Sequence, residues 1–286
     1  LDVAVDIGFL NEAYFTFDKP VPYPLKCGKT LYINPVKLED SMIFMTSYGI
    51  LDIDKNLSTD VEIIQMSYLK FLKEKILIDN ATKQQLVNIC LLCLGFELPY
   101  LDYDDKGRAL LVNAVRDTDT NEYKLDLIIT AKEFDDIKRI VLYQNLPNFD
   151  DEYVNPELKA NMAEYDELKA KGINPPNLER RMAIISAHTG LTKTEQLAMT
   201  LRYHSLLFSE ASGEVEYMVT KPLAMYAGKA DNVQWIFKKS KGKYDDYITS
   251  VESYNKSMGG DGMIHTMSKT NNSGELTSQF DKFIGG

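Results

Sequence analysis

Hydrophobic positions crowd into two short stretches and recur at helical spacing through most of the rest of the chain. Ala109–Val115 and Tyr123–Thr130 are rich in aliphatic residues. The polar run Asp117-Thr118-Asp119-Thr120-Asn121 separates them, which predicts a β-hairpin. Tyr14–Phe17 and Leu31–Ile33 are shorter β-prone runs with a proline-rich bend, Pro20–Pro24, and then Gly28 between them. They predict a second hairpin with a long connection. Leu38, Met42, Met45 and Tyr48 fall on one helical face that ends at Gly49. Thr59 and Glu62 have the spacing of a capping box, ahead of Ile64, Tyr68, Phe71, Leu72 and Ile76 at helical intervals. Asn80 is placed to cap a helix carrying Leu86, Cys90, Leu91 and Leu94, closed by Gly95. Thr130 and Glu133 form a second box before Phe134, Ile137, Ile140 and Val141, and that helix stops ahead of Pro147.

Beyond Asn145 the pattern changes. Leu146–Val154 is a polar, acidic loop, and the chain after it reads almost entirely as helix. Asn155-Pro156 starts a helix that runs to Gly172, and Pro175-Pro176 marks a linker. Helices are predicted over Leu178–His188, Thr192–Ser209 and Glu214–Ala227, the last interrupted by Pro222. A further helix over Tyr244–Met258 carries Tyr247, Ile248, Val251 and Tyr254 on one face. Gly259–Gly286 is rich in Gly, Ser, Asn and Thr and is expected to be flexible. The fold class expected is therefore α+β. Residues 1–147 would form an α+β domain of short hairpins packed with helices, 153–258 a helical domain, and 259–286 a flexible extension.

Composition narrows the function classes. Hydrophobic residues make up 44% and charged residues 26%, enough apolar material for a core. The net charge of −10 disfavours a phosphate-backbone partner and resists self-association. Three cysteines, Cys27, Cys90 and Cys93, do not make a disulfide framework, so a reducing compartment is expected. No apolar stretch reaches the length of a membrane span, and the chain does not open on a leader-like pattern. A soluble intracellular protein is the expectation.

Candidate chemistry adds little. Cys90-Leu91-Leu92-Cys93 is a C-x-x-C, but its flanks are aliphatic and no second pair or nearby histidine completes a zinc site. Core packing is the better reading. Asp52–Asn56 begins like a calcium loop yet has Leu57 and Ile63 where Gly and Glu belong, and Asp102–Gly107 places Asn113 at the last ligand position. His188, His204 and His265 lie far apart in sequence. No catalytic residue, metal site or cofactor is assigned, and a non-enzymatic role is expected. Met182–Phe208 has a helix-turn-helix outline through Thr189-Gly190-Leu191-Thr192, with Arg180, Arg181, Lys193, Arg202 and His204 nearby. The second helix, however, opens on Thr194, Glu195 and Gln196, and Glu195 would repel phosphate. DNA binding is kept as an alternative.

Seventeen tyrosines and one tryptophan are present. Those of the C-terminal helices, Tyr217, Tyr226, Trp235, Tyr244, Tyr247 and Tyr254, are candidates for a partner-binding surface, since such rings are favoured at interfaces. The order of segments also points to a group of proteins. Pro-Val-Pro-Tyr-Pro-Leu at 20–25 precedes Leu31-Tyr32-Ile33-Asn34-Pro35-Val36, then Ile64–Leu72, then Phe134–Ile140 leading to Tyr143-Gln144-Asn145. Val154–Leu158 and Thr189-Gly190-Leu191-Thr192 come after these. Over roughly Tyr14–Lys221 this resembles proteins of the structural and tail-morphogenesis region of tailed phages of Gram-positive hosts. Trp235 and the Gly/Ser/Asn-rich end fall outside the likeness. The resemblance implies a tail assembly chaperone, or a virion component such as a connector, tail or capsid-associated subunit, with no catalytic residues to carry over. It implies other phage structural proteins (tape-measure, tail or neck) as partners, homo-oligomers among the assemblies, and a place in the host bacterial cytoplasm during assembly or in the virion. Neither a membrane nor a nucleic-acid partner is expected.

Overall fold

A computed structural model describes residues 5–117, 122–152, 154–172 and 174–228. The fold class is α+β, as the sequence pattern predicts. The chain divides into two units, one of Leu1–Pro156 with Asn174–Val233, the other of Glu157–Ile173 with Gln234–Gly286. The sequence suggested a break between 147 and 153 with all later helices together. The structure instead places the helices after residue 174 with the N-terminal unit. The described part of the second unit is one helix, α7 (Pro156–Ala170), whose Leu158, Tyr165 and Leu168 are exposed. The predicted helix Tyr244–Met258 and the extension 259–286 lie outside the described residues.

In the first unit, α1 (Ile7–Ala13) is followed by β1 (Val21–Pro24) and β2 (Thr30–Ile33), an antiparallel pair with Val21 opposite Ile33. The first of these strands is not the one expected. Tyr14–Phe17 continues from α1 into a 3-10 turn, and the strand falls inside the proline-rich bend. Proline is admissible there because a two-stranded ribbon has a free edge, toward which alternate nitrogens point without needing a donor. β3 (Leu98–Tyr103), β4 (Ala109–Arg116) and β5 (Tyr123–Thr130) form an antiparallel sheet in that order, with a bulge at Asn113/Ala114. The β4–β5 hairpin matches expectation. β3 was not foreseen, because Pro99 and Asp102 mask its alternation, and as an edge strand it tolerates both.

The helix α6 (Ala131–Asn145) organises this unit. Thr130 and Glu133 form the expected capping box, and Phe134, Ile137, Ile140 and Val141 are buried against the sheet and neighbouring helices. Its buried polar side chains tie distant segments together. Glu133 Oε1 accepts from the Lys26 backbone N–H at 2.6 Å, and Asn145 Oδ1 accepts from that of Val36 at 2.7 Å while its Nδ2 donates to the Val141 carbonyl at 2.9 Å. Removing the Asn145 amide leaves the Val36 N–H buried and unpaired. Asn145→Ala should therefore cost about 2–3 kcal/mol, read as a fall in the urea midpoint at unchanged slope.

Several helical boundaries shift for local reasons. Across a 3-10 turn (Leu38–Asp40) and α2 (Ser41–Ser47), the buried face is Leu38, Ser41, Phe44 and Ser47, while Met42 and Met45 are exposed. Sequence reading chose the more hydrophobic face; packing chose the one with Phe44, which stacks on Tyr48. Asp60, not Thr59, caps α3 (Val61–Gln65), because its carboxylate reaches the Glu62 N–H. The helix expected to continue is broken at Met66. Ser67 caps a new one, α4 (Tyr68–Phe71), which passes into a π-helical turn. Asp79, not Asn80, caps α5 (Asn80–Ile89), and Gly95 closes it after a second π-helical turn with the left-handed φ of +66° that glycine alone adopts cheaply.

Candidate partner-binding surface

Three further helices complete the first unit: α8 (Leu178–Thr189), α9 (Lys193–Ala198) and α10 (Leu201–Tyr226). Thr192 and Glu195 form the expected capping box of α9. The single helix predicted over Thr192–Ser209 is nevertheless interrupted. Met199 and Thr200 are extended and pair with the segment around Lys37: Leu38 N–H donates to the Met199 carbonyl and Leu201 N–H to that of Val36, each at 2.8 Å. That pairing turns the chain, and Thr200 caps the new helix. α10 then runs without a break through Pro222, where an interruption had been expected.

The start of α10 is anchored hard. The Arg202 guanidinium donates to the Tyr143 carbonyl at 2.8 Å and to Asn11 Oδ1 at 2.9 Å, placing a cation at the C-terminal end of α6. Leu201, His204 and Ala211 are buried, and α8 packs along this part of the helix. Nε2 of His204 has no hydrogen-bond partner. Burial, and then the cationic Arg181, hold the His204 imidazole below its ordinary pKa. The unfolded chain therefore binds that proton more readily than the folded one. The stabilisation is complete above about pH 6.5, the ordinary histidine value, and is lost as pH falls from there toward the folded value. Wild type should lose more stability than His204→Gln between pH 7.5 and pH 5.5, compared by thermal melts.

Residues 201, 204, 208, 211, 215, 218, 222 and 225 are spaced alternately three and four apart and make one continuous seam along α10. Its first half is covered. His188 of the last turn of α8 sits 3.8 Å from Glu214, and beyond that level the seam and the apolar residues beside it are exposed. Val215 is 45% exposed, Met218 62%, Val219 59%, Leu223 64%, Met225 64% and Tyr226 93%. Six apolar or aromatic side chains within twelve residues of one helix are thus exposed, a cluster of the kind that marks an interaction site. Nothing in helix propensity requires this. A solvated helix end would carry charge on that face, and the charged groups Glu216 and Lys221 lie to its sides.

Of the tyrosines singled out from sequence, Tyr226 lies on this face. Tyr217 is half-buried on the other side of the helix, with Lys221 Nζ 5.9 Å from its ring centre. Trp235, Tyr244, Tyr247 and Tyr254 lie outside the described residues. Sequence reading missed Val215, Met218, Val219, Leu223 and Met225. Their signal was present as apolar residues at i, i+3, i+4, i+8 and i+10, but such a stripe reads as core until the neighbouring helix is seen to end.

The other candidates are occupied by the fold. Cys90 and Cys93 are fully buried, and burial pushes the Cys90 thiol up to about 12 and raises Cys93 as well. Asp104 Oδ1 accepts from the N–H groups of Lys106 and Arg108, closing a turn, and Asp54 caps a 3-10 turn. Among the described residues no three His, Cys, Asp or Glu side chains are grouped to hold a metal ion. A cleft of about 640 Å³ opens between α1, β1 and α6, with Val21 and Ile140 in its wall. Its carboxylates are engaged, Glu133 in the capping box and Asp136 with the Tyr23 hydroxyl at 2.8 Å. Lys138 Nζ lies 3.8 Å from the Tyr68 ring centre. Burial lowers its pKa and raises that of Asp135, while Tyr68 OH donates to the Ile50 carbonyl at 2.6 Å. In the helix-turn-helix outline, the helix after the turn has six residues. Its Gln196 is buried, donating to the Met182 carbonyl and to Ser186, so little of α9 is left to enter a groove.

No helix among the described residues is long and apolar enough to cross a membrane. Comparison of the chain with protein-family models, curated proteins and solved structures finds no match.

Proposed function

We propose that this protein is a non-enzymatic morphogenesis factor of a tailed phage that binds other phage structural proteins, in the manner of a tail assembly chaperone. The observation that carries the protein-binding reading is the exposed apolar half of α10, rigidly continued from a half that is buried. A partner helix laid along that face would bury apolar surface from both sides without disturbing the first unit. The net charge of −10 would keep such a complex dispersed. The order of segments over Tyr14–Lys221 supports the phage assignment.

Co-expression with a tail-gene cluster, followed by affinity purification, tests this reading. Recovery of a tape-measure, tail or neck protein supports it; recovery of the chain alone speaks against it. Mass spectrometry of purified particles separates the chaperone from a virion component, since a chaperone leaves and a component stays. A gel shift that is absent even at low salt removes DNA binding as a rival.

A further inference from the structure

We infer that Lys29 and Lys73 guard the two free edges of the three-stranded sheet, so that a strand of a second copy cannot be added to either. Among the described residues no strand pairs with the outer side of β3 or of β5. Both strands carry exposed apolar and aromatic side chains, Leu98, Tyr100 and Tyr103 on β3, Tyr123 and Leu125 on β5. Edges of that kind pair readily with another chain unless something blocks them. The inference stands apart from the proposed use of α10.

The register shows which backbone groups face outward. Asp104 N–H donates to the Arg108 carbonyl at the closed end of the β3–β4 hairpin, so Pro99, Leu101 and Tyr103 turn their backbone groups away from β4. Pro99 has no N–H, and Tyr103 N–H is taken by Asp102 Oδ1 at 2.8 Å. The Leu101 carbonyl accepts from Lys73 Nζ at 3.0 Å, and the Tyr103 ring, its centre 3.7 Å from that ammonium, holds the charge in place. On β5 the bulge leaves Asp126 without an opposite residue. Its carbonyl accepts from Lys29 Nζ at 2.7 Å, and its Oδ1 from the same ammonium at 2.8 Å. Thr130 N–H, at the end of that edge, is taken by Glu133 Oε2. Lys29 comes from the β1–β2 turn and Lys73 from the π-helical turn after α4, so each edge is closed by another part of the fold. Each ammonium occupies the point where the N–H of an added strand, about 4.8 Å away, would have to sit. To pair there, a second strand must break the bond and bury the displaced charge without a partner.

Sedimentation velocity and amide hydrogen exchange of the full chain test this, in a Met218→Glu/Leu223→Glu background so that the exposed face of α10 plays no part. Lys29→Met or Lys73→Met alone opens one edge, which should close on its own copy in a twofold dimer. Both together open two edges and should give assemblies that lengthen with concentration. In each case exchange should slow by at least about tenfold in the opened strand, Tyr123–Thr130 or Leu98–Tyr103. Arginine at both positions still donates to the carbonyls and should behave as the background chain does. Lys83→Met/Lys193→Met removes the same charge from exposed helical sites and should also leave the state of association unchanged. Folded methionine variants that sediment and exchange as the background chain does, or association that the Lys83/Lys193 pair reproduces, overturn the inference. Should the double variant lose its helical circular dichroism signal, the single variants decide: a folded single variant that stays monomeric contradicts the guard at its own edge.

Discussion

Replacing Met218 and Leu223 together by glutamate is expected to reduce capture of phage structural proteins by at least about a hundredfold, because an apolar contact would have to bury carboxylates without partners. The fold itself should be nearly indifferent. Both side chains are more than 60% exposed, and surface substitutions of this kind usually change stability by less than about 0.5 kcal/mol. The two outcomes, lost binding and kept stability, are what mark an interface rather than a core. A control on the other side of the same helix, Ala224→Glu, should leave capture within about twofold, since its effect is limited to weak surface electrostatics. Affinity purification of each variant beside a thermal melt gives both readings.

The largest effect on stability is expected at Arg202. Arg202→Ala removes two charge-assisted hydrogen bonds, to the Tyr143 carbonyl and Asn11, and takes a cation from the C-terminal end of α6. The guanidinium is half-buried, and burial lowers its pKa, yet it stays charged. Its loss strands a carbonyl of α6 and opens a gap beside Phe15, whose ring lies 5.7 Å from the guanidinium. The expected cost is about 3–4 kcal/mol. Arg202→Lys should recover less than half of it, because one ammonium cannot span both acceptors. Urea unfolding tracked by circular dichroism measures the loss. Amide exchange should rise first around the start of α10, where the helix is anchored, before it rises in β4.

Local chemistry explains which parts of the fold were legible. The β4–β5 hairpin and the Thr130 and Thr192 capping boxes depend on residues within a few positions of one another, and each appears as expected. The misread segments depend on long-range pairing. Met199 and Thr200 have no turn signal of their own; they become extended because the segment at Val36–Leu38 takes their hydrogen bonds. The strand at Val21–Pro24 looks like a bend until its partner shows that it is an edge. In α2 the small Ser41 and Ser47 are buried and two methionines are exposed, a choice that only three-dimensional packing determines. The candidate surface was half legible. Aromatic content drew attention to Tyr226 and to the end of the helical region. The aliphatic residues from Val215 to Met225 were not singled out, because sequence cannot show where α8 stops.

The most direct measurement is site-specific photo-crosslinking on α10 during co-expression with the tail genes. A photoreactive residue at position 218 should form adducts with another polypeptide, while the same residue at position 224 should form few or none. Equal adducts from both positions, or none from 218, would contradict a binding role for this face of the helix.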